Sequence, residues 1–266
     1  RQNRRVRPIF HGNSEASVIC PHSPQCSYRH FAPFFPSGFP MFLKPYQTLL
    51  KALGPSQWWP GDTAFEVMVG AILTQNTSWR NVEKAIHRLK SLQALRPKKM
   101  HLMPHPDLAE AIRSSGYFNQ KARTLHNYLD WYSSYSYSPS LLLRKKASRA
   151  EPIRKELLSI KGIGPETADS ILCYALELPV FVVDAYTHRW LARYDSAAAR
   201  ASAGSYDLLK NMVQSDFQAH LAPDSLVQHF NEFHALIVRL GNAYCKKQNP
   251  LCPDCPLRRE CENALA

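Results

Sequence analysis

The sequence predicts an all-α protein, and three of its features carry that prediction. Apolar residues recur at helical spacing in one segment after another, as in Phe230, Phe233, Ile237 and Leu240. No stretch of useful length alternates apolar and polar residues as a half-buried strand would, and there is no internal repeat. Glycine and proline fall between the periodic segments, at Gly54-Pro55, Pro60-Gly61 and Gly116. The chain has 266 residues, 45% of them hydrophobic, enough for one large domain or two small ones. No apolar run reaches the ~20 residues of a membrane helix, and no apolar segment of signal-peptide type follows the basic N-terminus. With 33 Lys and Arg against 21 Asp and Glu, the formal charge is +12. This favours a polyanionic partner, nucleic acid first, although a basic surface can also serve solubility alone.

Residues 1–40 differ from the rest. The start is basic, prolines recur as far as Pro40, and no helical periodicity develops, so little core can form there. We expect a disordered tail or an over-extended reading frame, with Met41 near the true start. Cys20 and Cys26 lie in this tail, where Cys20-Pro-His-Ser-Pro-Gln-Cys26 is a weak metal-binding pattern. From Phe42 onward the chain reads as helices. Leu43–Leu53 is amphipathic and stops at Gly54-Pro55. A loop with adjacent Trp58 and Trp59 follows. Asp62 is placed to cap a helix running through Phe65–Leu73, apolar nearly all round and therefore buried. Thr74–Trp79 is a polar break, after which a helix runs from about Ser78 to Leu92. Pro104–Ser115 is a shorter helix, and a long one opens at Tyr117 and reaches about Tyr132. Residues 133–148 read as a loop or short helix. Further helices are expected at Thr187–Ala192, Ser205–Phe217 and Ser225–Ala243.

The segment Lys161-Gly-Ile-Gly-Pro-Glu-Thr-Ala168 reads as a tight glycine hairpin between helices at about Pro152–Ser159 and Glu166–Leu176. Gly162 and Gly164 can take positive φ and, having no Cβ, allow another backbone to come close. Pro165 suits a first helical position, and the helix start offers backbone N–H groups to an anion such as phosphate. An apolar run, Pro179–Val183, then delivers Asp184, which is either a functional carboxylate or a helix cap. Four of the seven cysteines fall within the last stretch, as Cys245-x6-Cys252-x2-Cys255-x5-Cys261. Clustering of this kind argues for a metal centre in a reducing compartment rather than a disulfide framework. Zinc sites usually come as two close cysteine pairs, and here there is one. Cys173 stands alone on an apolar helix and reads as core.

Ile160-Lys-Gly-Ile-Gly-Pro-Glu-Thr-Ala168 and Val183-Asp184 resemble the hairpin and catalytic aspartate of the helix-hairpin-helix (HhH-GPD) DNA glycosylases, the endonuclease III superfamily. The resemblance spans roughly Met41 to Cys261. It implies a two-lobed helical fold, with residues 62–174 forming the lobe that holds the hairpin, and residues 41–61 and 175–266 the other. The cysteine spacing is similar to that family's iron–sulfur signature, which implies a [4Fe-4S] cluster on Cys245, Cys252, Cys255 and Cys261. Lys246 and Lys247, within the cluster loop at 245–261, would then face phosphates, unless they are simply solvated. The implied partner is double-stranded DNA with a damaged base. The implied protein is a monomeric, cytoplasmic, nucleoid-associated enzyme of bacterial type.

The chemistry follows from the same resemblance. A base inside a duplex must be flipped out before its glycosidic bond can be cut. The hairpin, with Lys161, Gly162 and Gly164, would anchor the backbone. Gln75 matches the family's intercalating glutamine, the alternative being a helix-capping loop residue. Asp184 would stabilise positive charge on the deoxyribose and orient or deprotonate a water. Bifunctional members carry a lysine nucleophile where this chain has Glu166, and a carboxylate cannot form the Schiff base. A monofunctional glycosylase is therefore expected. Trp58-Trp59-Pro60, Phe65-Glu66, Gly70–Thr77, Trp79 and Asn81–Lys84 are similar to the 3-methyladenine DNA glycosylase III branch. Trp58, Trp59 and Trp79 then become candidates to stack on a cationic alkylated purine, against the alternative of ordinary core packing. Two other readings stay open. One is an endonuclease III-like enzyme for oxidised pyrimidines or mismatched thymine or uracil; the other is a non-catalytic DNA-binding protein.

Overall fold

In a computed structural model of the chain, residues 40–56, 58, 61–147 and 149–266 are described. The expectations for the N-terminal tail, for Cys20 and Cys26 and for Trp59 fall outside them. Among the described residues all regular structure is helical. The helices are α1 (Leu43–Leu53), α2 (Ala64–Leu73), α3 (Trp79–Ser91), α4 (Pro97–His101), α5 (His105–Ala111), α6 (Phe118–Ser133), α7 (Pro139–Lys145), α8 (Ala150–Ser159), α9 (Pro165–Ser170), α10 (Ala185–Tyr194), α11 (Ser196–Ala201), α12 (Tyr206–His220), α13 (Leu226–Ala243) and α14 (Glu262–Leu265). None of them is long and apolar enough to cross a membrane.

The apolar helix α2 is buried from Phe65 to Leu73 and packs against α6 and the segment after α9. Its cap is Thr63, whose side chain accepts from the Glu66 N–H at 3.1 Å, and not Asp62 as the sequence suggested. Asp62 lies one residue too early and turns outward to Lys90, 2.8 Å away. α9 is shorter than expected. It ends at Ser170 and passes into a π-helical turn, Ile171–Ala175, every residue of which is buried. The wider turn carries Tyr174 toward α13. Residues 139–145 form α7, capped by Ser138, and α4 and α11 are short helices the sequence reading left unassigned. A second aromatic core forms where Tyr46, Phe181, Trp190, Phe217, Phe230 and Phe233 meet, with Phe217 and Phe233 stacked at 5.3 Å.

Two long-range devices dock α1 onto this core. Its N-terminus has no side-chain cap of its own. Asp216 on α12 instead accepts from the backbone N–H groups of Met41, Phe42 and Leu43 at 3.3, 2.8 and 3.0 Å. At the other end Arg239 on α13 donates to the carbonyls of Leu53 and Gly54 at 2.5 and 2.8 Å. A carboxylate at the helix N-terminus and a guanidinium at its C-terminus match the helix dipole and satisfy its bare backbone groups.

Candidate active site and cysteine loop

The hairpin joins α8 to α9 through Lys161–Gly164. Gly162 takes a φ of 101°, and an added Cβ would lie 2.1 Å from the Thr124 hydroxyl on α6. Glycine is therefore required here both for its backbone and for the close approach of α6. Gly164 differs from the expectation. Its backbone is extended, with φ −98°, and nothing lies within 4 Å of an added Cβ. Only Gly162 uses the left-handed region, because one such residue suffices to reverse the chain before Pro165 starts α9. Lys161 is exposed, and its carbonyl accepts from Asn127 at 3.1 Å. Behind the hairpin, Asp169 is fully buried between Arg154 (2.7 Å) and Lys210 (3.4 Å), which ties α8, α9 and α12 together. Burial pushes the Asp169 carboxyl up, and the two cations offset part of that.

Asp184 is the N-cap of α10. Its Oδ1 accepts from the Thr187 N–H at 2.7 Å and from the Thr187 hydroxyl at 2.9 Å, a reciprocal capping box. The capping alternative is thus correct as far as it goes, but it uses a single oxygen. The other, Oδ2, lies 3.5 Å from Nε2 of His234 on α13. The side chain is only 10% exposed. Burial alone would raise its pKa, but the donors from His234 and Thr187 outweigh burial and hold it below the usual carboxylate range. Glu166, on the first turn of α9, has the opposite setting. The residue remains solvent-accessible, yet the surrounding protein, and after it the charge of Asp184, push its carboxyl up. Two neighbouring carboxyl groups thus have their affinities for protons driven apart, as in sites that divide acid and base roles.

His234 was not singled out in the sequence, because a histidine within an apolar helix reads as core. It is 5% exposed, and its Nδ1 lies 2.6 Å from the Tyr174 hydroxyl. Tyr174 also lines an open cleft of ≈ 670 Å³, together with Trp58, Thr63, Val67, Glu177 and Gln228 among others. The rings of Trp58 and Trp79 are 6.3 Å apart and tilted by 49°. Trp79 donates its indole N–H to Glu83 at 2.8 Å.

Gln75, in the turn between α2 and α3, donates its amide to the Gly162 carbonyl at 3.0 Å and the Thr167 hydroxyl at 2.9 Å. The turn and the hairpin are therefore one surface. A third segment joins them. Lys121, nearly fully buried on α6, donates to the carbonyls of Leu73 and Ser115 at 3.0 and 2.6 Å, and burial lowers its pKa to about 8. This pins the α2–α3 turn to the segment before α6, where Tyr117 sits at φ 45° with 69% of its surface exposed. A bulky aromatic held in the left-handed region and left in solvent is strained without a packing reason. In the sequence Tyr117 stands only as a helix start, and Gly116 followed by two aromatics is the signal that marks it.

At the C-terminus, Cys245, Cys252, Cys255 and Cys261 line one cavity with Trp190, Tyr194 and Leu257. None of the four is in a disulfide, whereas Cys173 is buried in the core. Arg193 on α10 braces the loop, donating to the Lys246 and Lys247 carbonyls at 2.7 and 3.1 Å and lying 3.3 Å from the Cys245 sulfur. The Lys246 and Lys247 side chains stay exposed. Among the described residues no three His, Cys, Asp or Glu side chains close on a single ion.

Comparison with known proteins agrees with this architecture. Residues 69–211 match the HhH-GPD superfamily base excision DNA repair proteins. A Methanocaldococcus jannaschii protein that bears the name of a DNA repair glycosylase is 41% identical, over 84% of this chain and 96% of its own length. Endonuclease III of Thermotoga maritima is 27% identical over 74% of this chain and 82% of its own. Among solved structures, the Helicobacter pylori 3-methyladenine DNA glycosylase bound to 1,N6-ethenoadenine is 31% identical, with a TM-score of 0.61, over 75% of this chain and 95% of that one. Matched across its hairpin and Asp184 and aligned over 84% of its length with a 41%-identical relative, the chain belongs to the HhH-GPD superfamily of base excision DNA repair proteins.

Proposed function

We propose that the protein is a monofunctional DNA glycosylase that excises alkylated purines, 3-methyladenine among them, from double-stranded DNA. The observation that carries this reading is the pair Asp184 and Glu166. Asp184 is an ionised, nearly buried carboxylate with one oxygen left over from its capping role. Glu166 occupies the position where a lyase would need an amine. As the bond from C1′ to the base breaks, the bonding pair leaves with the base and positive charge develops on the sugar. Asp184 stabilises that charge. A water then adds through its oxygen to C1′ and gives a proton to Asp184. An N3-alkylated adenine is already cationic and departs as a neutral base, so no strong general acid is needed. The likeness to the H. pylori enzyme and the Trp58–Trp79 pair beside the cleft support this substrate class.

The DNA would lie across the surface shared by Lys161–Gly164, Gln75 and Tyr117. The exposed Tyr117, and Gln75 once its amide leaves Gly162 and Thr167, are the groups that would fill the space of the flipped nucleotide. In the resulting two-lobed, monomeric arrangement, residues 62–174 form the lobe with the hairpin. The four cysteines fit an iron–sulfur cluster better than a single ion. They line one cavity, none of them in a disulfide, and their spacing along the chain holds one close pair where a zinc site usually has two. Cys245, Cys252, Cys255 and Cys261 would hold a [4Fe-4S] cluster, whose contribution is to fix the loop carrying Lys246 and Lys247 toward phosphates. The broad visible charge-transfer absorption of an iron–sulfur cluster would be measured on the purified protein. A colourless zinc protein would overturn that assignment.

The functional test is base release from a methylated duplex and from one carrying an oxidised pyrimidine, each with and without later alkali and with borohydride trapping. Free 3-methyladenine, strand breaks only after alkali and no trapped adduct are expected. Release of the pyrimidine with a trapped adduct would replace this reading with an endonuclease III-like lyase. DNA binding with no release from any lesion would leave only a binding protein.

A further inference from the structure

We infer that His234 is a positioning residue for Asp184, presenting its Nε2–H to the carboxylate oxygen the helix cap leaves over, with Tyr174 holding the imidazole in the tautomer this requires. The inference rests on the proposed reaction in so far as Asp184 is its reacting carboxylate. Asp184 commits Oδ1 to Thr187, so Oδ2 is the oxygen available to chemistry. The group that faces Oδ2 is Nε2 of His234, at 3.5 Å, a buried nitrogen with no closer polar partner than this carboxylate. An ionised carboxylate can only accept, so the proton between them belongs on Nε2. A neutral ring then carries its lone pair on Nδ1, which lies 2.6 Å from the Tyr174 hydroxyl, and Tyr174 donates to it. A neutral ring facing an ionised carboxylate allows one proton arrangement along the chain, from Tyr174 through His234 to Asp184.

The elements around the ring hold it in place. Tyr174 comes from the π-helical turn, Asp184 from the start of α10, and His234 from the middle of α13. Phe181 packs on the imidazole with ring centres 6.5 Å apart at 79°. Glu166, on α9, is a charged group whose field reaches both Asp184 and His234. A donor on one lone pair of Oδ2 restricts rotation of the carboxylate and leaves the other for the water and the developing sugar cation. Tyr174 also lines the cleft, so the chain of hydrogen bonds runs from the cleft wall to the reacting group.

The first arm of the test needs no DNA. Imidazole nitrogen shifts of His234 in histidine-labelled protein should show the Nε2–H tautomer at neutral pH. Asp184→Asn should move the Nε2 signal, and Tyr174→Phe should turn the ring toward a tautomer mixture. An Nδ1–H tautomer, or a signal indifferent to both changes, would overturn the inference. The second arm is single-turnover base release from a methylated duplex. His234→Leu should slow release by about 10–100-fold, the range seen when hydrogen-bond partners that orient metal-ligating side chains are lost, with DNA affinity unchanged. His234→Gln, whose amide can reach the Nε2 position, should recover most of the rate, and His234→Asn should not. Equal losses for the Gln and Leu variants would reduce His234 to packing and overturn the inference. If the wild type releases no base at all, the proposed function fails, while the nitrogen shifts still decide the His234–Asp184 contact.

Discussion

Replacing Gly162 by alanine tests whether the first hairpin glycine is there for the fold. At φ 101° an L-residue is strained, and its Cβ would meet Thr124 Oγ1 at 2.1 Å, Cγ2 at 2.9 Å and Cβ at 3.0 Å. Thr124 cannot swing away freely. It is 3% exposed, and its hydroxyl donates back to the Gln120 carbonyl at 3.1 Å. The left-handed conformation costs about 1–2 kcal/mol and forcing a methyl group into filled space about 1–3 kcal/mol, so Gly162→Ala should lose about 2–5 kcal/mol. For a folded unit of this size that lowers Tm by about 4–20 °C. The mechanism predicts a partial rescue. Thr124→Ala removes the atoms at 2.1 and 2.9 Å, so in the Gly162→Ala background it should restore about 1–3 kcal/mol as a coupling energy. The backbone strain should remain. Urea unfolding of the wild type, both single variants and the double variant measures this. Additive losses, or a Gly162→Ala cost below about 1 kcal/mol, would refute the steric argument.

Gly164→Ala should leave the unfolding free energy within about 0.5 kcal/mol yet weaken DNA binding in a titration; unchanged affinity would mean that no backbone approaches there. Asp184→Asn keeps a good helix cap, so stability should change by less than about 1 kcal/mol, while single-turnover base release falls at least about 100-fold. Asp184→Ala should show the same loss of rate and, in thermal melts, a further about 0.5–2 kcal/mol from the missing cap. Glu166→Gln has a pH signature. Its carboxyl is raised above 4.5, so ionisation costs the folded state stability as pH rises through and beyond 4.5. The glutamine variant should therefore melt higher than wild type at pH 7 and equally at pH 4, and an offset equal at both values would contradict that. Asp169→Asn leaves Arg154 and Lys210 with Asp207 alone, half-exposed at 2.7 and 3.2 Å, and should cost up to about 3–5 kcal/mol; a near-wild-type melting curve would show that the buried carboxylate is dispensable.

Much of the candidate site is legible in the sequence because its signals are local. The hairpin is announced by two glycines and a proline within four residues, the carboxylate by its place at the end of an apolar run, and the cysteine loop by its spacing. The sequence places the long amphipathic helices within one to three residues of their ends, α12 running on to His220 rather than stopping at Phe217, and α2 is buried as its apolar faces require. The errors were local too. Asp62 and Thr63 are both capable caps, and only the direction of the chain decides that Thr63 reaches the Glu66 N–H. α4, with Met100 as its single buried residue, is too short to show periodicity, and α11 was overlooked although Asp195 caps it at 2.8 Å.

The amino-acid sequence by itself determined the helical class, the hairpin, the carboxylate at position 184 and the grouping of the four cysteines, since each depends on residues close together along the chain. Only the tertiary structure decided what those features touch. Asp216 caps α1 from 173 to 175 residues away, and Thr124 is the side chain that makes Gly162 obligatory. Lys121 joins two loops that carry exposed polar and aromatic groups. His234 reaches Asp184 from a helix whose pattern reads as plain core. These partners come from separate elements, and they meet because apolar burial fixes the packing of the helices. A buried donor or carboxylate must then find its partner within that packing, wherever along the chain it lies.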